Sequence, residues 1–281
     1  MKTEFKIILG TFLFIGLTVF AFTQKHHKTN PIYKNYKIIN QWELPPVLQE
    51  ISGISWIGDH KIACIEDEDG TIFIYNLKTS SIEQRIDFAD QGDYEDIAIV
   101  NHDAYVLRSD GIIFEVENYL TNPTVEKFST FNDVSRNVEG LTLDKANNRL
   151  LIAVKDEKHK EKAFKGVYAF SIETKKFQFL PVYKIDLKNE IFKNIDEKKT
   201  HKLMRPSALT VTNNAEKIYY LDGAQPKFLV TDAEGNLEKL YQLNEEEFYQ
   251  PEGITISPDN RIFISNEGKK AEPNILEVEF Y

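Results

Sequence analysis

A strand–turn–strand pattern occurs five times along the sequence, and it constrains the fold more than any other feature. In each copy an apolar segment leads through a turn rich in Asn, Asp and Gly into a second apolar segment. The clearest copy is residues 252–265, which read Glu-Gly-Ile-Thr-Ile-Ser-Pro-Asp-Asn-Arg-Ile-Phe-Ile-Ser. The copies begin at Ser52, Glu95, Glu139, Ser207 and Glu252.

The spacing of these starting residues is 43, 44, 68 and 45. A period of about 44 residues with several short strands is typical of a β-propeller blade, which carries four strands. The one long interval contains a charged insertion at about 187–205, with apolar residues in roughly helical spacing that predict a helical flap or a mobile loop. The sequence therefore predicts an all-β, five-bladed propeller over residues 32–281.

Residues 36–44 alternate in the manner of an edge strand, and a Pro-Pro pair follows them. The last repeat supplies only three strands, at about 253–257, 261–265 and 275–280. Because a closed ring removes exposed sheet edges, we expect the 36–44 segment to complete the last blade. Because a closed ring leaves no sheet edge that could pair with another chain, we also expect a monomer.

Residues 1–31 form a separate segment before the propeller. Lys2 and Lys6 precede an uncharged, apolar run at 7–23, and no small-x-small cleavage site follows clearly. The pattern favours a retained transmembrane signal-anchor helix, so we expect a membrane protein with its propeller on the extracytoplasmic side. The alternative is a secreted or periplasmic protein whose signal has been cleaved.

The overall charge bounds the kinds of partner. A net charge of -10 and an isoelectric point near 5.2 argue against a nucleic-acid partner, which requires a basic face. The single cysteine, Cys64, excludes an intrachain disulfide.

The residues around the repeat starts form five similar segments, which read Glu50-Ile51-Ser52-Gly53-Ile54, Tyr94-Glu95-Asp96-Ile97, Val138-Glu139-Gly140-Leu141, Arg205-Pro206-Ser207-Ala208-Leu209 and Gln250-Pro251-Glu252-Gly253-Ile254. In these segments the chain resembles the SdiA-regulated family of membrane-anchored or exported bacterial propeller proteins, over about residues 38–280. The resemblance implies a fold and a location and no particular activity. The chain is more distantly similar to esterase-like phytases and gluconolactonase-type propellers, which hold a divalent cation at the channel mouth.

The first strand of each propeller blade lines the central channel, and the loop between the second and third strands opens at the same end of that channel. We therefore expect the five repeat starts to surround one channel mouth, with those loops around them. The predicted ligand-binding residues are Ser52, Glu66, Arg108, Lys155, Ser207, Asp222 and Glu267.

Three glutamates at one mouth need compensation, because two carboxylates about 6 Å apart repel by roughly 2–3 kcal/mol at an effective dielectric near 20. Three kinds of compensation are open: one carboxyl group keeps its proton, a divalent cation binds, or Arg108 and Lys155 supply the opposite charge. Oxygen ligands without histidine or cysteine suit Ca²⁺ or Mg²⁺. The predicted metal ligands are thus Glu95, Glu139 and Glu252, with Ca²⁺ as the cofactor. The alternative is that these glutamates bind only backbone amides and waters.

The sequence lacks a Gly-x-Ser-x-Gly elbow, a His-Glu-x-x-His pair, a Cys-x-x-Cys pair and a phosphate-binding glycine loop. The pattern predicts a binding module for a small molecule or a protein partner at the glutamate-ringed mouth. The alternative is a cation-dependent hydrolase of lactones or phosphate esters, and the sequence leaves open whether the protein turns over a substrate.

Overall fold

The computed structural model describes residues 35–131, 137–156, 163–269 and 271–281. The chain divides into two units, Met1–Lys34 and Asn35–Tyr281, and the first lies outside the described residues. The predicted signal-anchor helix and linker at 1–31 therefore lie outside them too. Among the described residues, no helix has the length and apolar character needed to cross a membrane.

The described residues contain 20 strands in five four-stranded antiparallel sheets, which confirms the five-bladed propeller. The strands are β1 (Tyr36–Glu43), β2 (Ile51–Gly58), β3 (Lys61–Glu66), β4 (Thr71–Asn76), β5 (Ser81–Asp87), β6 (Tyr94–Val100), β7 (Asp103–Arg108), β8 (Ile112–Glu117), β9 (Thr124–Ser129), β10 (Asn137–Asp144), β11 (Arg149–Asp156), β12 (Phe164–Ser171), β13 (Lys176–Asp186), β14 (Pro206–Val211), β15 (Lys217–Asp222), β16 (Lys227–Asp232), β17 (Leu237–Gln242), β18 (Pro251–Ile256), β19 (Ile262–Asn266) and β20 (Asn274–Phe280).

Each of the first four blades consists of four consecutive strands, starting at β2, β6, β10 and β14. The fifth blade joins β18, β19 and β20 to β1, which pairs antiparallel with β20 from Tyr36 opposite Phe280 to Glu43 opposite Asn274. The predicted closure by an N-terminal strand is therefore confirmed, with β1 ending one residue earlier than expected.

The second and third strands of each blade are nearly continuous apolar runs, because neighbouring blades cover both of their faces. The fourth strands are largely exposed; in β5, for example, Ile86 is the one buried residue. Left-handed asparagines close several turns, including Asn101 and Asn260, since Asn tolerates a positive φ better than most residues. The core therefore lies between blades and leaves the inner edge of each first strand to face the channel.

The insertion at 187–205 does not form the helical flap that is one of the two expectations from its spacing. It holds two short 3₁₀ turns, Glu190–Phe192 and Thr200–Lys202. Phe192 and Met204 are buried and pack with the core of blades three and four. The apolar residues that suggested a helix instead anchor the insertion to the blades.

Candidate functional site

Every repeat start lies at a β-bulge near the beginning of an innermost strand. In blade two, Tyr94 pairs with Arg108 and Asp96 pairs with Leu107, so Glu95 has no partner on the neighbouring strand. The same irregularity leaves three more repeat starts without a partner on the neighbouring strand: Glu139 on β10, Ser207 on β14 and Glu252 on β18. In β2 the irregularity falls at Ser52 and Gly53. A bulge changes the direction of the side chain at the extra residue. Five equivalent bulges therefore take these residues out of the regular in-and-out alternation.

Ser52 and the three glutamates line a cavity of about 220 Å³ at the channel mouth. The remaining lining residues come from the segments around the starts of first strands, from the end of β11 and from loops between second and third strands. They are Asp67, Asp93, Asn137, Lys155 and Glu267. Every lining residue is polar. At about 30 Å³ for each water molecule, the cavity has room for roughly seven waters or one small polar molecule.

Lys155 supplies the one ammonium group in the lining of this cavity. It forms a buried ion pair with the Glu139 carboxylate, whose other oxygen accepts a hydrogen bond of 2.7 Å from Asn137 Nδ2. Burial by itself lowers the pKa of Lys155, but Glu252, Glu139 and Glu95 outweigh that effect and raise it above its ordinary value. Lys155 therefore stays charged and offsets part of the negative charge at the mouth.

Glu95 and Glu252 form no hydrogen bond or ion pair with another described residue. Burial, together with the charges of Glu139 and Asp93, raises the pKa of Glu95 to about 10. Burial also raises the pKa of Glu252 to about 8, although Lys155 opposes the shift. For Glu139, burial raises the pKa to about 7 against the pull of Lys155. Because these groups interact strongly, they titrate as a set, and protons remain bound there at neutral pH.

A further acidic group lies at the edge of the cavity beside blade one. Asp67 has a buried carboxylate oxygen, Oδ1, that lacks a hydrogen-bond partner among the described residues. Burial, followed by the charges of Glu50 and Glu66, raises the pKa of Asp67 to about 7. Lys269 Nζ lies 3.0 Å from Glu50 Oε1 and 3.4 Å from Glu267 Oε2 at the same edge. The Asp67 carboxyl group is therefore free to interact with a molecule in the cavity.

Two predicted ligand-binding residues, Ser207 and Asp222, lie outside the lining of the cavity and hold neighbouring segments together. Ser207 Oγ donates a hydrogen bond of 2.7 Å to the Pro251 carbonyl of the next blade. Asp222 is fully buried, lies 2.9 Å from Lys227 Nζ, and accepts a 2.9 Å hydrogen bond from the Arg205 backbone N–H.

Glu66 and Arg108 also lie outside the lining. The Glu66 carboxylate accepts backbone N–H groups of Glu68 and Asp69, which shapes the loop after β3. Arg108 donates two hydrogen bonds to Asp110, of 3.0 and 2.8 Å, and therefore does not supply counter-charge in the cavity. Among the predicted residues, the cavity thus unites Ser52, Lys155 and Glu267 with the three glutamates.

Sequence reasoning did not single out Asp67, Asp93 and Asn137, although two signals were present. The residue two positions before each repeat start is polar in all five blades; these residues are Glu50, Asp93, Asn137, Arg205 and Gln250. Asp93 and Asn137 line the cavity, so this polar position extends the mouth in blades two and three. Asp67 follows Glu66 directly, and neighbouring residues in extended chain point to opposite sides.

The predicted calcium ligands fit a hard cation only in part. Glu95, Glu139 and Glu252 face one cavity and offer the carboxylate oxygens that Ca²⁺ prefers. The Lys155 ammonium group, however, already contacts Glu139, and the raised pKa values keep protons on the other two groups. Within the described ranges, no group of three or more His, Cys, Asp or Glu residues has the geometry of a metal site.

Comparisons with known proteins identify the family and the fold. The sequence model of the SdiA-regulated family matches residues 28–276. No curated protein is significantly similar to the chain. Among solved structures, Myxococcus xanthus glutaminyl cyclase is similar at 16% identity and a TM-score of 0.59, over 87% of this chain and 95% of that one. Aldose sugar dehydrogenase from Streptomyces coelicolor, in its PQQ-bound form, is similar at 9% identity and a TM-score of 0.56, over 88% and 98%. Because identities this low indicate only a common fold, these structures do not define the activity.

Proposed function

The chain belongs to the SdiA-regulated family of β-propeller proteins, and we propose that it binds a small, positively charged ligand in the cavity at its channel mouth. The observation that carries the proposal is the composition of the lining. Six carboxyl groups, those of Asp67, Asp93, Glu95, Glu139, Glu252 and Glu267, face a single ammonium group. A cation is attracted to such a site, and an anion is repelled by it.

Two kinds of ligand share this chemistry, namely a divalent cation such as Ca²⁺ and a small organic amine. Ca²⁺ requires six to eight oxygen ligands, which protein carboxylates and bound waters supply together. An alkylammonium group requires only two or three acceptors and leaves the Lys155–Glu139 ion pair in place. Ser52 and Asn137 add polar groups to the same wall. The geometry favours the amine, and Ca²⁺ is the inorganic candidate.

Protonation of Glu95 and Glu252 gives the proposal a distinctive consequence. A cation binds the ionised form of a carboxyl group, so binding must release the protons that these residues hold at neutral pH. Affinity for either cation should therefore rise as the pH increases from 7 to 9.

Isothermal titration of the purified protein with calcium chloride and with putrescine, each at pH 7 and pH 9, tests the proposal. We expect saturable binding of at least one cation, at least tenfold tighter at pH 9, and its loss in the Glu95→Gln/Glu252→Gln double variant. The matched control is Glu126→Gln, which changes an exposed glutamate of β9 and should leave binding unchanged. Absence of binding by both cations into the millimolar range would overturn the proposal.

A second candidate function is hydrolysis of a neutral ester such as a lactone. The observation that favours it is the raised pKa of Glu252 and Glu95, since a carboxyl group that titrates near or above neutral pH can transfer protons in catalysis. A phosphate ester suits the cavity less well, because its charge would face six carboxyl groups unless a cation intervened. A screen of lactones and phosphate monoesters, with and without chelator, distinguishes these substrates. Loss of any turnover in Glu252→Gln would support the enzymatic role.

We also propose that the propeller is held as a monomer on the extracytoplasmic side of the membrane by its N-terminal segment. The support is the sequence alone, in which two lysines precede the apolar run at 7–23. Full-length protein should stay with membranes after a high-salt wash, and residues 28–281 should run as a monomer in size-exclusion chromatography. A mature protein that begins near Ala21 or Phe22 would instead show a cleaved signal.

A further inference from the structure

A second set of equivalent residues lies on the innermost strands, four positions after the repeat starts. We call these residues the collar: Trp56, Ile99, Leu143, Val211 and Ile256. Each pairs with a residue at or near the start of the second strand of its blade. All five are apolar and only partly buried. The collar is thus a ring of large apolar side chains, with one from every blade.

The collar lines a cavity of about 750 Å³ at the end of the channel opposite to the glutamates. The later residues of the innermost strands and the loops between first and second strands form its wall, whereas the polar mouth uses the strand starts. Four residues of strand separate the two rings, which corresponds to about 13 Å. This volume lies in the range of sites that hold small organic molecules, about 300–1,000 Å³.

Small residues also line the collar cavity. The position three residues after each repeat start holds Ser55, Ala98, Thr142, Thr210 and Thr255. The lining therefore combines small, mainly hydroxyl-bearing side chains with apolar ones. An apolar wall left in contact with water is unfavourable, and a ligand with an apolar body removes that contact.

The charge at the rim of this cavity is opposite to that of the chain as a whole. Among the described lining residues, Lys145 is the one charged side chain, and none carries a carboxyl group. Lys145 is exposed and forms no ion pair with a described residue. In a chain of net charge -10, a lining with one lysine and no carboxyl group favours an anionic head group on the ligand.

We propose that the collar cavity binds an amphipathic anion, a small molecule with an apolar body against the collar and a carboxylate held at the rim by Lys145. This site is separate from the polar mouth and does not depend on what the mouth binds.

Trp56 offers a direct readout, because it lines the cavity and the chain has only two tryptophans. Its ring stacks on Phe263 at a centroid distance of 5.2 Å and lies under the Arg261 guanidinium group. Because Trp56 also lines the cavity, binding at the collar should change its emission. In Trp42→Phe, Trp56 is the sole tryptophan. Titration of the full-length variant with sodium octanoate should give a saturable emission change, with octanol weaker and octylamine weaker still. Calorimetry of the wild-type protein with octanoate gives the same information if Trp42→Phe does not fold.

Two variants and a control locate the probe. Lys145→Glu should weaken octanoate binding at least tenfold and leave octanol binding unchanged, whereas Leu143→Glu should abolish both. Leu180→Glu, which changes an apolar residue 81% exposed on β13, should have no effect. The proposal is overturned if octanoate gives no saturable signal, if octanoate and octylamine bind equally well, or if only Leu180→Glu reduces binding.

Discussion

Lys155 and Glu139 are both extra residues at β-bulges on neighbouring strands of one blade, and their side chains form a buried ion pair at the channel mouth. Asn137 pairs with Asp156 and Val138 with Val154, which leaves Lys155 unpaired on β11, while Glu139 is unpaired on β10. A regular ladder would leave neither residue unpaired. The charge balance of the mouth therefore depends on two coupled irregularities of the backbone.

Removal of the Lys155 ammonium group should destabilise the protein strongly. Lys155→Met removes the group that opposes the raised pKa of Glu139, so the buried carboxyl group takes up a proton and loses its partner, and the expected loss is about 1–3 kcal/mol in the free energy of unfolding at pH 7. Urea denaturation measures this loss. Lys217→Met is the matched control, because Lys217 and Glu238 form an exposed ion pair, and such pairs contribute little to stability. Equal losses in the two variants would contradict the account of the mouth.

Stability should fall as the pH rises from 6 to 10. Burial raises the folded-state pKa of Glu252 to about 8 and of Glu95 to about 10, above the value of 4.5 for a free glutamate. The stability that Glu95 and Glu252 contribute is therefore fully present below pH 4.5, and it is lost as the pH rises through their folded-state pKa values. The side chain in Glu252→Gln cannot ionise, so the stability of this variant should depend less steeply on pH. At pH 9 the variant should have a higher melting temperature than the wild-type protein. An unchanged slope in this variant, or the same change in Glu126→Gln, would contradict the assignment.

The ring closure should depend on a contact of Tyr36. Its hydroxyl group donates to Glu247 Oε2 at 2.7 Å and accepts the Asn244 backbone N–H at 3.2 Å, while its ring packs edge-on against Phe248. Tyr36→Phe should cost about 1–3 kcal/mol because the Asn244 N–H loses its acceptor. Thermal unfolding measures the effect. Thr174→Val, which removes a hydroxyl group at an exposed turn, should change stability by less than about 0.5 kcal/mol.

Asp96 should link blades two and three. Its two carboxylate oxygens accept backbone N–H groups of Ile97 at 2.8 Å and of Leu141 at 2.7 Å, and Leu141 belongs to the next blade. Asp96→Asn turns an NH₂ group toward one of these donors, so we expect a loss of about 1–3 kcal/mol in chemical denaturation. Asp103→Asn is the control, since Asp103 accepts one backbone N–H at an exposed turn. Equal losses would show that the inter-blade bond is unimportant.

The repeat was sufficient to predict the blades, because each blade needs the same short strands and turns at the same spacing. It also predicted β1, since β18, β19 and β20 left a sheet edge to cover. The insertion was harder to predict. Its apolar residues follow helical spacing, yet Phe192 and Met204 are separately buried in the core, and their burial determines the conformation.

The site was predicted only in part, because a repeat pattern indicates where a residue lies but not which side chain it contacts. The three glutamates and Lys155 share a cavity as their positions suggested. Arg108 lies at the end of the second strand of its blade, as Lys155 does in blade three, but its side chain donates to Asp110 two residues later. The collar was not recognised for a related reason. An apolar residue such as Leu143 has the same sequence signal whether it is fully packed or faces a cavity, and only the structure distinguishes these cases.

The most direct test of the proposed cation site is a crystal structure of the protein grown at pH 9 with putrescine. The account predicts density for one ammonium group within hydrogen-bond distance of the Glu95 and Glu252 carboxylates, with the Lys155–Glu139 ion pair retained. A cavity that contains only water under these conditions, or putrescine bound elsewhere, would contradict it.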